Sequence, residues 1–188
     1  MKKIILTLLF TTALLSCKKE AENTTSVSTT NDSIDNTAPS VTPEKLAELK
    51  SLSPEKTTEF LQTKNDTLYV TNFFATWCGP CVREIPHFKE KSVQLAGKPV
   101  KITFLNLDTK EVWNTEVPAF VDKHGIRNHT ILLDGALLDE TFFKNNFKTW
   151  TGDAIPFTYM RKGDKTDEYL GLMSQQILDE KIKSFDVK

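Results

Sequence analysis

Beyond residue 67 the large apolar residues recur in two alternating rhythms. Residues 68–75 form an apolar, aromatic-rich run bounded by charges, which predicts a buried strand. From Cys78 to about Leu95, Cys81, Ile85, Phe88 and Val93 fall at helical spacing, and Gly97-Lys98-Pro99 ends the helix. Residues 100–107 read as a second strand. Val112, Trp113, Val117, Phe120 and Val121 predict a helix over 111–124, closed by Gly125 as its C-cap. A short strand is expected at 130–133 and a helix over 137–147, carried by Leu138, Phe142 and Phe143. A strand at 156–160, a turn at 161–165 and a hairpin partner at 166–171 follow. Ser174 is placed to N-cap a last helix bearing Ile177, Leu178, Ile182 and Phe185. Upstream, Pro43 opens a short helical pattern with Leu46 and Leu49. Ser53-Pro54-Glu55 opens another, with Phe60 and Leu61 on its apolar side. This alternation predicts an α/β fold, a sheet covered by helices on both faces.

The N-terminal third obeys neither rhythm. Lys2 and Lys3 precede an apolar run at 4–15, too short to span a bilayer, which needs about 20 residues. It reads as a signal sequence. Leu14-Leu15-Ser16-Cys17 resembles a bacterial lipobox, and that resemblance implies cleavage before Cys17 and lipidation of its thiol and new amino group. Several acyl chains on one residue would anchor the mature chain stably. Residues 18–43 hold almost no large apolar side chain and are mostly Ser, Thr, Asn and Asp toward their end. Such a segment cannot offset its own ordering entropy and is expected to be a flexible tether. The expected organisation is therefore a signal peptide at 1–16, a tether at 17–43 and one folded domain at 44–188.

Composition narrows the chemistry. With 24 Lys plus Arg against 25 Asp plus Glu, the chain carries no basic footprint for nucleic acid. Three cysteines are too few for a disulfide-stapled scaffold. Two of them, however, form Trp77-Cys78-Gly79-Pro80-Cys81, directly between a predicted strand and a predicted helix. A cysteine at a helix start sits at the positive end of the helix dipole, among free amide donors, and both favour its thiolate. The second sulfur lies one turn further in, close enough to close a disulfide. Cys78 is therefore expected to be the exposed attacking thiolate and Cys81 the buried resolving thiol, with Pro80 stiffening the loop. A zinc site would need two further ligands, and His87, His124 and His129 are not paired at ligand spacing. Haem attachment would need a histidine at Val82. No metal or other cofactor is expected.

The run from Thr71 to Pro86, TNFFATWCGPCVREIP, resembles the thioredoxin superfamily and, within it, the TlpA/ResA-like membrane-tethered thiol–disulfide oxidoreductases. The resemblance covers roughly residues 53–188. It implies a thioredoxin-like fold with a central mixed sheet and an inserted helix and strand, matched here to 111–133. It also implies that Ile155-Pro156 is the cis-proline loop that pairs with substrate, together with Trp77, Gly79 and Pro80. Glu84 matches the acidic residue of the Cys-x-x-Cys-x-x-Glu-x-Pro pattern, which influences thiol ionisation, and Pro86 matches the proline that kinks the helix. Asn72 stands where thioredoxin itself has a buried aspartate, leaving Glu84 as the candidate proton acceptor. It is expected to be partly buried with a raised pKa. Trp150-Thr151-Gly152, before the proline loop, departs from the tighter glycine run of relatives, so residues 148–153 are expected to bear on partner choice, while an aromatic such as Trp150 is itself more often core than contact.

The function expected from all this is an exported, lipid-anchored thiol–disulfide oxidoreductase whose domain faces the periplasm or the cell exterior. Gly79-Pro80 resembles the dipeptide of reducing members, which reduce extracytoplasmic proteins including apocytochromes during c-type cytochrome maturation. Protein thiols and disulfides, the membrane and a membrane electron donor are the expected partners. Two rivals fit less well. A peroxiredoxin-like peroxidase needs Pro-x-x-x-Thr/Ser-x-x-Cys, and counting back from Cys78 gives Ala75 and Thr71 at those places. Copper-binding assembly factors use Cys-x-x-x-Cys, one residue longer than the spacing here.

Overall fold

The computed structural model describes residues 48–187. The signal peptide, Cys17 and the tether lie outside them, as does the start of the helix expected around Leu46. Residues 48 and 49 are not helical, and a two-residue strand follows, β1 (Lys50–Ser51). The remaining elements are α1 (Pro54–Leu61), β2 (Leu68–Phe74), α2 (Gly79–Gln94), β3 (Val100–Asn106), α3 (Glu116–His124), β4 (Thr130–Leu132), α4 (Glu140–Asn146), β5 (Phe157–Lys162), β6 (Lys165–Leu170) and α5 (Gln175–Ser184).

The strands form one sheet in the order β1-β4-β3-β2-β5-β6. β1, β4, β3 and β2 run parallel, and β5 and β6 antiparallel to their neighbours. β2 is central and buried along its whole length. Because side chains alternate across a strand, β2 feeds two cores. Leu68, Val70 and Phe74 join Cys81, Ile85 and Phe88 of α2, Val117 and Val121 of α3 and Leu178 and Ile182 of α5. Phe73 joins Leu61 of α1 and Phe142 of α4 on the other face, with Phe147, Trp150 and Phe157. The helices thus cover both faces of a mixed sheet.

Several element ends differ from the sequence expectation, for local reasons. The helix expected over 111–124 is broken. Residues 110–112 form a single tight turn, and α3 begins only at Glu116, with Pro118 in its first turn, where a missing N–H costs nothing. Trp113 is drawn away by its indole N–H, which donates to the Asp108 carbonyl at 2.8 Å. Gly125 does end the helix, at φ 63, where any side chain would be strained. The helix expected over 137–147 starts late because Asp139 caps it, accepting the Phe142 N–H at 2.8 Å. The hairpin turn is only Gly163-Asp164, so β5 runs through Arg161 to Lys162. Ser53 and Ser174 cap α1 and α5 as expected.

Candidate active site

Cys78 is extended (φ −82, ψ 97) and N-caps α2, its Sγ accepting the Cys81 N–H at 3.2 Å. Gly79 and Pro80 fill the first turn, where proline has no hydrogen to leave unpaired. Cys78 and Cys81 are disulfide-bonded, with Cα atoms 5.3 Å apart. The first sulfur therefore stands at the positive end of a 16-residue helix with an amide aimed at it, the two conditions that favour a thiolate. The expected contrast in exposure is small. Cys78 is 4% exposed and Cys81 fully covered. A closed disulfide turns both sulfurs toward each other, and Trp77 is the residue that stands out into solvent.

The height of this loop is set by a residue the sequence reasoning missed. Asp108, just past β3, accepts the Thr76 N–H at 2.8 Å and the Thr76 hydroxyl at 3.0 Å. Asn106 in turn donates to Asp108 at 2.6 Å. The signal available was a polar Asn-x-Asp ending an otherwise apolar strand.

Ile155-Pro156 is a cis peptide, and Ile155 lines a groove that Trp77 also borders. The Pro156 carbonyl accepts the Gly171 N–H at 2.8 Å. Among the described residues the Ile155 N–H and carbonyl have no hydrogen-bond partner in the chain, so both are free to pair with an extended peptide. Trp150 is almost wholly buried, as an aromatic of the core. It is 2% exposed, stacks on Phe157 at 4.2 Å and props the loop by donating to the Ala154 carbonyl at 2.9 Å. Gly152, at φ 85, lies so close to Phe143 that a Cβ would overlap the ring. Between Trp77 and this loop runs a groove of about 440 Å³ lined mostly by Leu138, Phe143, Trp150 and Ile155. Leu170 and Leu172, both exposed, follow on the other side of the proline. Apolar surface thus lies beside Trp77, the neighbour of Cys78.

Behind the dithiol Glu84 is completely buried, more than the partial burial expected. It lies one helical turn after Cys81, on the same inward face. Its Oε1 accepts from Asn72 Nδ2 at 2.6 Å and its Oε2 from the Met173 N–H at 2.7 Å. Burial pushes its pKa up to about 7, and the two hydrogen bonds hold it from rising further. Asn72 also donates to Thr158 at 3.1 Å. Its Oδ1 is buried without a partner. Thr158 and Met173 are contacts of high sequence separation, with no local signal. Pro86 sits inside α2, where it removes the hydrogen bond to Val82. Among the described residues no group of three or more His, Cys, Asp or Glu is placed to hold a metal ion.

Chemically, this is a closed Cys78–Cys81 disulfide whose reduction would free a first sulfur at a helix N-terminus, where a thiolate is favoured, with a carboxyl of pKa about 7 one turn beyond the second. A profile of the Redoxin family matches residues 33–156, more than half of the chain. Thioredoxin-like protein YneN of Bacillus subtilis is 28% identical over 136 residues, covering 71% of this chain and 73% of that one. Thiol-disulfide oxidoreductase ResA of Oceanobacillus iheyensis is 31% identical over 81 residues, covering 42% of this chain and 41% of its own. Among solved structures, a thioredoxin-family thiol:disulfide interchange protein from Chlorobium tepidum superposes with TM-score 0.51 at 20% identity, covering 68% of this chain and 83% of that chain. A DsbF homologue from Corynebacterium diphtheriae gives 0.52 at 20% identity, over 64% and 73%. At that identity the two structures speak for the fold alone. The chain belongs to the Redoxin family, as a thioredoxin-like thiol–disulfide oxidoreductase of the TlpA/ResA-like kind.

Proposed function

We propose that the protein is an exported, lipid-anchored reductase of protein disulfides, acting outside the cytoplasm on incompletely folded chains, apocytochromes c among them. The observation that carries the exchange chemistry is Cys78 Sγ at the N-cap of α2, accepting the Cys81 N–H. The Cys78 thiolate attacks a substrate disulfide, forming a mixed disulfide and releasing one substrate thiolate. Cys81 then attacks the Cys78 sulfur, closing the Cys78–Cys81 disulfide and releasing the second substrate thiolate, while Glu84 takes the Cys81 proton. Two electrons pass to the substrate, and a membrane electron donor must return them. The apolar groove between Trp77 and Ile155 suits an extended segment with large side chains beside its cysteine, a surface that folded proteins hide. Export and anchoring rest on the lipobox-like run ending at Cys17, and the reducing direction on Gly79-Pro80.

Cys78→Ser abolishes disulfide reduction in an insulin assay, whereas Cys81→Ser accumulates mixed disulfides. Normal turnover by Cys81→Ser would overturn the assignment of roles. Equilibration with glutathione tests direction: a reductase has a potential below about −200 mV, and a value near −120 mV would mark an oxidant. Cys17→Ser is expected to lose palmitate labelling and membrane partition; unchanged labelling would remove the anchor from this reading.

A further inference from the structure

Between β6 and α5 the chain crosses the back of the active site in three residues, Gly171-Leu172-Met173. Three hydrogen bonds pin this strap. The Gly171 N–H donates to the carbonyl of Pro156, the cis-proline, at 2.8 Å. The Met173 N–H donates to Glu84 Oε2 at 2.7 Å. The Met173 carbonyl lies 3.0 Å from His87 Nδ1. A carbonyl only accepts, so His87 Nδ1 carries the hydrogen. His87 is on α2, one turn beyond Glu84, so a single helix face grips both polar ends of Met173. The Met173 side chain is fully buried in the core that holds Cys78 and Cys81.

We propose that His87 is a positioning residue for the exchange reaction: by holding the Met173 carbonyl it aims the Met173 N–H at Glu84 and so sets how readily Glu84 accepts the Cys81 proton. The proposal rests on the assignment of Glu84 as that acceptor. The groups facing the carboxylate are few. They are the Asn72 amide from β2, with Thr158 of β5 behind it, and the Met173 amide from the strap, while Cys81 and His87 follow one turn either way along α2. Among the described residues no cationic side chain pairs with Glu84, so the Met173 amide is one of only two donors that favour the ionised form. Loosening it makes Glu84 hold its proton to higher pH. The strap also makes this donor continuous with the substrate loop, because the same three residues end on the Pro156 carbonyl.

The test compares His87→Phe, which keeps a ring but donates nothing, with His87→Asn, whose Nδ2 can donate from nearly the same place. Two measurements are made across pH on the full chain: the single-turnover rate of mixed-disulfide resolution, and the chemical shift of the Met173 backbone amide, which reports Glu84 ionisation. In His87→Phe the acid limb of the rate profile and the Met173 titration both move to higher pH, by about half a unit or more. In His87→Asn both stay with the parent. Superimposable profiles for His87→Phe and the parent overturn the proposal, and so does a His87→Asn profile displaced as far as that of His87→Phe, since ring packing would then be the cause. Glu84→Gln separates the two layers. If it leaves the rate profile unmoved, the acceptor role of Glu84 fails, and the Met173 titration alone still decides whether His87 sets the contact.

Discussion

β2 and β5 bury two ionisable side chains, at opposite ends and on opposite faces of the sheet. Near the redox end, where Asn72 pairs with Thr158, Glu84 rests on the helix face carrying α2 and α5. At the far end, where Tyr69 pairs with Arg161, the guanidinium is 2% exposed on the face carrying α1. Its Nη2 donates to the Phe60 carbonyl in the last turn of α1 at 2.7 Å, alongside the Thr63 N–H at 3.3 Å, and its Nη1 to Thr71 Oγ1 at 3.2 Å. It also lies over the rings of Tyr69 at 4.5 Å and Phe60 at 4.9 Å. Burial disfavours both charges. It raises Glu84 to about 7 and lowers Arg161 to about 10. The same physical cost thus produces a titrating group in one place and a permanent cation in the other, because the two started from different intrinsic affinities. Burial alone does not make a site. A site results when burial moves a pKa onto the working pH and a reactive atom stands beside it.

Asn72→Asp should break the contrast most severely. It sets a second carboxylate within hydrogen-bond reach of Glu84, and two such groups cannot both ionise. The protein is expected to lose about 3–5 kcal/mol at pH 8, and much less at pH 5, where the pair holds protons. Urea unfolding at the two pH values checks this; equal losses would mean the site is wetter than its burial implies.

Arg161→Ala tests the other pole. Losing the stacked guanidinium with its hydrogen bonds to the Phe60 carbonyl and Thr71 costs about 3 kcal/mol, while the acid limb of mixed-disulfide resolution stays where it was. A displaced limb would show that the two ends are coupled.

Glu84→Gln slows resolution about tenfold or more at neutral pH. It also removes a slope in stability. Between pH 4.5 and 7 the unfolded chain has released the Glu84 proton that the native state still holds, so parent stability falls as pH rises through that window and is level above it. The shift sets an upper bound of about 3 kcal/mol on that fall. Chemical denaturation of the variant across the window should show the slope gone.

Thr71→Val is the mildest probe. It deletes one hydroxyl acceptor beneath Arg161 and is expected to cost about 1 kcal/mol with no change in pH dependence. A loss much larger than that in thermal unfolding would mean Thr71 holds more than the guanidinium.

Most of the redox centre was legible in the sequence because its logic is local. Cys78, Cys81 and Glu84 are spaced by single helical turns, and the strand before them is apolar and aromatic-rich but for Thr71 and Asn72. Element ends were less legible where one side chain overrides a period: Trp113 counted toward a helix until Asp108 claimed its indole. What could not be read were partners brought in by the sheet. Asp108 beneath Thr76, Thr158 beside Asn72 and the Met173 amide on Glu84 are separated from their partners by 32, 86 and 89 residues, and no period connects them. Arg161 was expected in a turn, since a charged residue next to Lys162 and Gly163 resembles one, yet it lies inside β5 because three aromatic rings receive it.

The three tryptophans fall in three different surroundings, and that has an optical consequence. Trp77 is 74% exposed and covalently adjacent to Cys78, Trp113 is half-buried with its indole N–H bonded to the Asp108 carbonyl, and Trp150 is 2% exposed beneath the cis-proline loop. A solvated indole emits at longer wavelength than one in an apolar core, and a neighbouring disulfide quenches it whereas a dithiol quenches less. Trp77 should therefore brighten on reduction at the red edge of the emission band, while the blue component from Trp150 stays constant as an internal reference. The ratio of the two makes the unlabelled protein a continuous gauge of its own oxidation state.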